Sequence, residues 1–110
     1  EDGKTVIGVY DKSVKSITIP DGVTEIGKSA FEYCYSLQSI DIPNSVTEIG
    51  DSAFWGCSSL QSMDIPDSVT EIESSAFAYC CSLEHIYLHC NNVEKLEVSK
   101  DIFVLIYLYI

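Results

Sequence analysis

Asp41 and Asp64 have carboxylate side chains that could do chemistry. They lie at equivalent positions of two successive, similar segments of the sequence, here called blocks. If adjacent strands stack them, their carboxylates come about 5 Å apart, the separation that a retaining glycosidase uses. The surrounding residues predict a flat, open surface that would not raise the pKa of either carboxyl by desolvation. A solvated pair is therefore the favoured interpretation, and glycan hydrolysis is the weaker alternative. We predict no catalytic residue and no cofactor.

Two aromatic side chains occupy the same positions one block further along. His85 stands where the preceding block has Ser62, and Tyr87 stands where it has Asp64. Because Tyr is enriched among residues that dominate binding surfaces, we predict a ligand-binding patch formed by Asp41, Asp64, His85 and Tyr87. Further aromatic residues vary between blocks at Tyr33, Tyr35, Trp55 and Tyr79, and Trp55 is expected to be exposed on a helical turn. Simple stacking on neighbouring side chains is the plainer explanation for each of them.

Five cysteines cannot all pair within one chain. Cys34, Cys57 and Cys80 recur at one position of the blocks, so we predict small apolar thiols packed inside, with each S–H near a backbone carbonyl. Disulfide bonds between neighbours are the weaker alternative, since one partner would stay unpaired. Cys81 and Cys90 depart from the pattern and are expected to be more exposed, where they could be oxidised or crosslink a dimer.

Metal ligation is not predicted. The residue types at Cys80, Cys81, His85, His89 and Cys90 suit zinc, but they do not form two matched pairs at zinc-site spacing. A column of Glu25, Glu48, Glu71 and Glu94 could gather calcium loosely, yet it lacks a loop of carbonyl ligands. A solvated acidic face is the preferred interpretation of that column.

A 23-residue repeat positions all of these side chains. Residues 19–41, 42–64 and 65–87 align without gaps and keep the same Pro, Val, Ile, Phe, Cys and Leu positions. The period is too short for a pair of helices and suits one strand and one turn per repeat. In each repeat, residues such as Ile40 and Ile42 alternate with polar ones as a strand requires, and Pro43 then ends the strand because it has no N–H. A V-T-E-I segment predicts a second short strand.

Stacking of these units predicts a β-rich leucine-rich repeat solenoid with parallel strands and short helical or irregular turns. About four coils of 23 residues would bury columns of Leu and Phe that no single coil can cover. We expect one domain over residues 1–110. Its parts are a partial coil at 1–18, repeats at 19–41, 42–64 and 65–87, and a degenerate last coil with an apolar tail at 88–110.

The repeat unit resembles the BspA-like, or Treponema pallidum-type, leucine-rich repeat family. That family's pattern looks like I-P-x-S-V-T-x-I-G-x-x-A-F-x-x-C-x-S-L-x-x-I, and residues 13–88 follow it. Residues 87–103 look like the degenerate last coil of relatives from gut Bacteroides, in which a closing strand with a Pro-Gly turn usually follows. The resemblance implies secreted or surface-displayed bacterial proteins that act in adhesion, in binding host proteins or in coaggregation. It implies no particular ligand.

The charge balance excludes several partners. Six Lys and Arg against 17 Asp and Glu give a formal net charge of −11. Nucleic acid is not an expected partner, because phosphate contacts need basic side chains. Membrane insertion is not expected either, because the apolar run at 102–110 is about half the length of a membrane helix. Residues 1–20 show no secretory signal, and a start at Glu1 without Met predicts a processed product or a fragment.

The apolar end of the chain leaves two possibilities open. Residues 104–110 are uncharged and rich in β-branched and aromatic residues. They either close the solenoid as a final strand or pair with the edge of a second copy to form a homodimer. The leading prediction for function is a non-enzymatic extracellular or cell-surface protein that binds a protein or glycan of a host or neighbouring cell. The alternative is a structural or dimerisation module without a ligand of its own.

Overall fold

The computed structural model describes residues 4–6, 8, 11–73 and 75–89 of the chain, together with the strand at 105–109. Within this part every regular element is a β-strand, and every strand pairing is parallel. The chain winds as a solenoid in which equivalent residues of successive repeats lie side by side. This arrangement confirms the predicted fold class.

One wall of the solenoid is formed by the V-T-E-I segments, and we call it the short-strand wall. Its four strands pair in the order β1, β3, β5, β7, with bounds β1 Thr5–Val6, β3 Glu25–Ile26, β5 Glu48–Ile49 and β7 Glu71–Ile72. The Ile of each of the last three strands is buried, whereas the Glu beside it lies on the outer surface. Two-residue strands suffice here because every coil repeats the same pairing.

The second wall, here the long-strand wall, carries the predicted ligand patch. Its strands are β2 Ser16–Thr18, β4 Ser39–Asp41, β6 Ser62–Ile65, β8 His85–His89 and β9 Leu105–Tyr109. They form two separate sheets, one of β2 and β4 and one of β6, β8 and β9. The strands end before or at the residue that precedes Pro20, Pro43 or Pro66, as expected for a residue without an N–H.

The S-A-F-x-x-C segments form the third wall, called the turn wall, at 27–35, 50–58 and 73–81. The expected helical turn is wrong: the described residues of these segments are consecutive turns, and the irregular alternative is correct. Ser29 has φ 57° and Tyr33 has φ 59°, so a right-handed helix cannot continue through them. The amides of Ser29, Phe31 and Tyr33 then donate to the next coil instead of to their own turn. A helix would use these donors internally.

The core consists of columns. Phe31 stacks on Phe54 with ring centroids 5.3 Å apart, and Phe54 stacks on Phe77 at 5.4 Å. All three rings are buried, as are the Cys and Leu columns beside them. Each coil therefore covers the apolar surface of the next, as nearest-neighbour stacking requires.

The number of coils differs slightly from the prediction. About four were predicted, and over the described residues the short-strand wall has four strands, which make about three turns. The end coils are also shorter than the repeat. Thr5 pairs with Glu25, a step of 25 − 5 = 20 residues, and His85 pairs with Leu105, a step of 105 − 85 = 20 residues. The middle steps keep 23 residues, for example 48 − 25 between Glu25 and Glu48.

Candidate functional site

The long-strand wall brings the four predicted ligand residues onto one surface. Asp41 ends β4, Asp64 lies on β6, and His85 and Tyr87 lie on β8. Alternate residues such as Met63 and Ile86 are buried beneath them, so the named side chains share the outer face. Asp64 pairs in register with Tyr87 on the neighbouring strand. The geometry therefore agrees with a patch, while its use by a ligand stays a prediction.

His85 and Tyr87 form the aromatic part of this patch. Their ring centroids are 6.0 Å apart and the ring planes differ by 24°. Both side chains are half-buried, which shows that they lie against the wall and do not extend into solvent. Two rings held in this way present a fixed apolar surface at low entropic cost to a ligand.

An open groove lies where the long-strand wall divides. No strand pairing joins β4 to β6, both of which the structure describes in full. The groove there has a volume of about 320 Å³ and is lined by Ile40, Asp41, Ile42, Asn44, Asp64, Pro66 and Asp67. Asp41 and Asp64 are thus brought together at one depression. Sequence reasoning placed them on a continuous wall and did not anticipate the groove.

The repeat register would bring like charges together at this groove. Pairing of β4 with β6 would make Asp41 and Asp64 direct neighbours, and like charges in that position destabilise a sheet. Ser68 follows Asp67, which lines the groove. Its counterpart Ser45 accepts from the amide of Gly22 and donates to the carbonyl of Val23, whereas the buried Ser68 hydroxyl has no hydrogen-bond partner.

The acidic column lies on the short-strand wall. Glu25, Glu48 and Glu71 pair in register, and Glu94 lies outside the described residues. Glu48, Glu71 and Glu73 each bring a carboxylate oxygen within 4.8 Å of the others. Desolvation and the neighbouring carboxylates raise the pKa of Glu48, and repulsion by Glu71 raises that of Glu73. The column is therefore a site of mutual repulsion, and exposed acidic groups of this kind are common without an ion.

The cysteine column has the predicted internal arrangement. Cys34, Cys57 and Cys80 are buried free thiols. The Cys57 thiol donates to the carbonyl of Phe31 at 3.2 Å, and the Cys80 thiol donates to that of Phe54 at 3.0 Å. Burial raises the pKa of both thiols to about 12. They serve as hydrogen-bond donors between coils, and the disulfide alternative is wrong.

Cys81 is exposed, as expected, and its thiol lies 3.6 Å from the carbonyl of Tyr79. Cys80 is buried and Cys81 is exposed, so these two thiols, both considered above as zinc ligands, face different surroundings. Cys90 and the side chain of His89 lie outside the described residues.

Four aromatic residues of the turn wall form a group that the sequence analysis did not recognise as one surface. Trp55 packs on Tyr79 with ring centroids 4.9 Å apart, and Tyr33 lies 6.4 Å from Tyr35. The three tyrosines are 49%, 58% and 67% exposed for Tyr33, Tyr35 and Tyr79. Trp55 was expected to be exposed, but it is half-buried because Tyr79 covers it. We call these four residues the aromatic row.

These walls define the class of protein, which is a parallel β-solenoid of leucine-rich repeats. Its regularly repeated backbone presents the residues that differ between repeats. The chain belongs to the BspA type leucine-rich repeat family, since the family model described as BspA type Leucine rich repeat region (6 copies) matches residues 9–103. This membership confirms the family that the motifs indicated. A comparison with curated proteins finds no match.

Two solved structures support the fold. A leucine rich cell surface protein from Faecalibacterium prausnitzii A2-165 has 28% sequence identity and a TM-score of 0.61, and the similarity covers 86% of this chain and 34% of that chain. The T. pallidum leucine rich repeat protein has 22% identity and a TM-score of 0.50, covering 84% of this chain and 59% of that chain. The chain thus spans about a third of the first relative and less than two thirds of the second. Over the described residues, no helix has the length and apolar character needed to cross a membrane.

Proposed function

We propose that the chain is a non-enzymatic binding module of an extracellular or cell-surface bacterial protein. Its ligand is a protein or glycan on a host or neighbouring cell, and the module acts in adhesion. The family and the cell-surface relative from Faecalibacterium prausnitzii support a repeat wall as the binding element. The observation that carries the proposal is the groove on the long-strand wall, which is lined by Asp41 and Asp64. Tyr87 pairs with Asp64 on the neighbouring strand, which also carries His85.

The groove favours a ligand that donates hydrogen bonds. Three aspartates and Asn44 contribute to its lining, and ionised carboxylates only accept hydrogen bonds. Sugar hydroxyls and the amide or amino groups of a protein match this requirement. The stacked rings of His85 and Tyr87 lie on the strand next to Asp64 and provide an apolar surface for the rest of the ligand.

Catalysis is a weaker use of the same residues. Asp41 and Asp64 are both exposed on an open groove. A glycosidase needs one carboxyl that remains protonated near neutral pH, and an exposed carboxyl lacks the desolvation that produces this. We expect no glycan release above the level of the double variant Asp41→Asn with Asp64→Asn. An activity that disappears in this variant would establish an enzyme.

The binding proposal is tested with the double variant His85→Ala and Tyr87→Ala on an array of host matrix proteins and mucin glycans. We expect binding to fall about tenfold or more, since aromatic anchors contribute most of the energy of such surfaces. Thr47→Ala is the control, because it removes an exposed side chain from the short-strand wall. If the double variant binds as well as the unchanged protein, the patch is not the binding site.

A dimerisation module is the second candidate, because β9 ends its sheet with one edge unpaired by any described strand. Its uncharged residues at 105–109 suit pairing with the same strand of a second copy. This candidate predicts a homodimer in light scattering that disappears on removal of residues 104–110, with array binding unaffected by His85→Ala and Tyr87→Ala.

A further inference from the structure

The aromatic row lies on the turn wall, apart from the groove and from every strand of the long-strand wall. Tyr33 and Tyr79 occupy the same repeat position in the first and third coils, roughly 10 Å apart at two strand spacings. Gly56 holds that position in the coil between them. Trp55 packs against Tyr79 on one side, and Tyr35 lies near Tyr33 on the other. The four rings therefore extend across three coils.

Gly56 makes this arrangement possible. A Cβ at that position would lie 2.8 Å from Cδ1 of Tyr33, so any side chain there would displace the ring. The Tyr33 ring consequently lies over the backbone of the second coil. The missing side chain leaves the Tyr33 ring beside the coil that carries Trp55.

The backbone at this position is strained in the two coils that carry tyrosine. Tyr33 has φ 59° and Tyr79 has φ 58°, a left-handed conformation that is unusual for a bulky residue. Gly56 adopts φ 76° at no steric cost. Glycine would suit all three coils, yet two of them keep an exposed aromatic ring. Ser29, Ser52 and Ser75 share this left-handed backbone at another position of the same segments, so the conformation belongs to the turn. The retained rings are what distinguish these two coils.

The charge around the aromatic row selects the partner. The three segments of the turn wall contain three acidic residues, Glu32, Asp51 and Glu73, and one basic residue, Lys28. The ammonium of Lys12 also reaches this wall and donates to the carbonyl of Glu32. The whole chain carries a net charge of −11. Aromatic faces attract Lys and Arg side chains through cation–π contacts, most strongly at Trp. A negative field strengthens this preference and repels anionic ligands.

We propose that the aromatic row binds a basic segment of a partner protein, with Lys or Arg side chains placed over the rings of Tyr33, Trp55 and Tyr79. This surface is a second site, on a different wall from the groove and independent of its ligand. A neutral glycan would stack on the rings but gain nothing from the acidic field, so it is the less favoured occupant.

Trp55 is the single tryptophan of the chain, so its fluorescence reports on the aromatic row directly. The probe is a short synthetic peptide of alternating arginine and glycine, and its control has citrulline in place of arginine. We expect the arginine peptide to change the fluorescence saturably and the citrulline peptide to have no effect. The double variant Tyr33→Gly and Tyr79→Gly should weaken arginine-peptide binding about tenfold, as loss of two cation–π contacts requires.

This variant should fold, because glycine already holds the same position in the second coil at Gly56. Circular dichroism melting checks that point, and the control Thr47→Ala should bind the peptide normally because it removes an exposed side chain from the short-strand wall. Equal binding of the arginine peptide by the double variant would show attraction to the acidic chain alone and would overturn the proposal. So would a neutral oligosaccharide that binds in place of the peptide, or the absence of any response to the arginine peptide.

Discussion

The buried thiols show how a single residue type can connect coils. Each of Cys57 and Cys80 donates to the carbonyl of a phenylalanine in the preceding coil. With a pKa of about 12, both remain protonated at physiological pH. A protonated thiol is a hydrogen-bond donor and a poor nucleophile. The column therefore stabilises the stack and contributes no reactivity.

Thiol labelling tests this assignment. We expect iodoacetamide at mildly alkaline pH to modify Cys81 in the native protein well before Cys57 or Cys80, because alkylation requires an accessible thiolate. Peptide mass spectrometry gives the site of each adduct. Unfolded protein is the control and should be labelled at all three positions. Equal rates at Cys57 and Cys81 in the native state would contradict the buried hydrogen-bonded column.

At the scale of an element, the short-strand wall combines regular pairing with electrostatic repulsion. The backbone ladder places Glu25, Glu48 and Glu71 side by side, and Glu73 adds a further carboxylate. The pKa of Glu48 is raised by desolvation first and then by these neighbours. The folded state therefore holds a proton on Glu48 more tightly than the unfolded chain does. Stability contributed by this group falls as pH rises through the raised pKa.

Glu48→Gln should accordingly raise the melting temperature at neutral pH, since it removes the central charge of the column. The gain should shrink at an acidic pH below the raised pKa of Glu48, where the wild-type side chain is itself protonated. Thermal melting followed by circular dichroism at both pH values measures the difference. Glu84→Gln, an exposed substitution outside the column, should give little change at either pH. A gain from Glu48→Gln that is independent of pH would rule out charge repulsion as its cause.

At the scale of the whole molecule, each coil is stabilised by its contacts with the adjacent coils. The three stacked Phe rings and the parallel strands connect each coil to its neighbours only. The last described element is β9, which pairs with β8 from His85↔Leu105 to His89↔Tyr109. This pairing places residues 105–109 as a closing strand of the same chain. An end coil without it would expose the edge of β8.

Replacement of residues 104–110 by a Gly/Ser segment of equal length tests the closing strand. We expect a lower melting temperature by circular dichroism, because β8 loses its backbone partners on the side of β9 and keeps only those of β6. Because the replacement has the same length, any effect comes from loss of the strand and not from a shorter chain. Light scattering on both proteins reports the oligomeric state. Unchanged melting together with loss of a dimer would show that the segment serves pairing between copies instead.

The sequence alone determined the parts of this structure that depend on one repeat. The period and the columns of Phe, Cys and Leu specify parallel stacking, because each coil can bury its apolar face only against an identical neighbour. The thiol contacts to carbonyls and the strand ends before Pro follow from the same columns. The helical form of the turn was wrong, since backbone donors such as the Phe31 amide bond more favourably to the next coil than within their own turn.

Only the tertiary structure decided where the repeat is broken. The groove lies where β4 and β6 do not pair, although both strands carry the same repeat positions. The aromatic row brings Trp55 and Tyr79 together from different columns, and it exists because Gly56 leaves room for the Tyr33 ring. A repeat predicts the same contacts in every coil, whereas the groove and the aromatic row each occur at one place in the stack. Their formation is set by three-dimensional packing and not by the period.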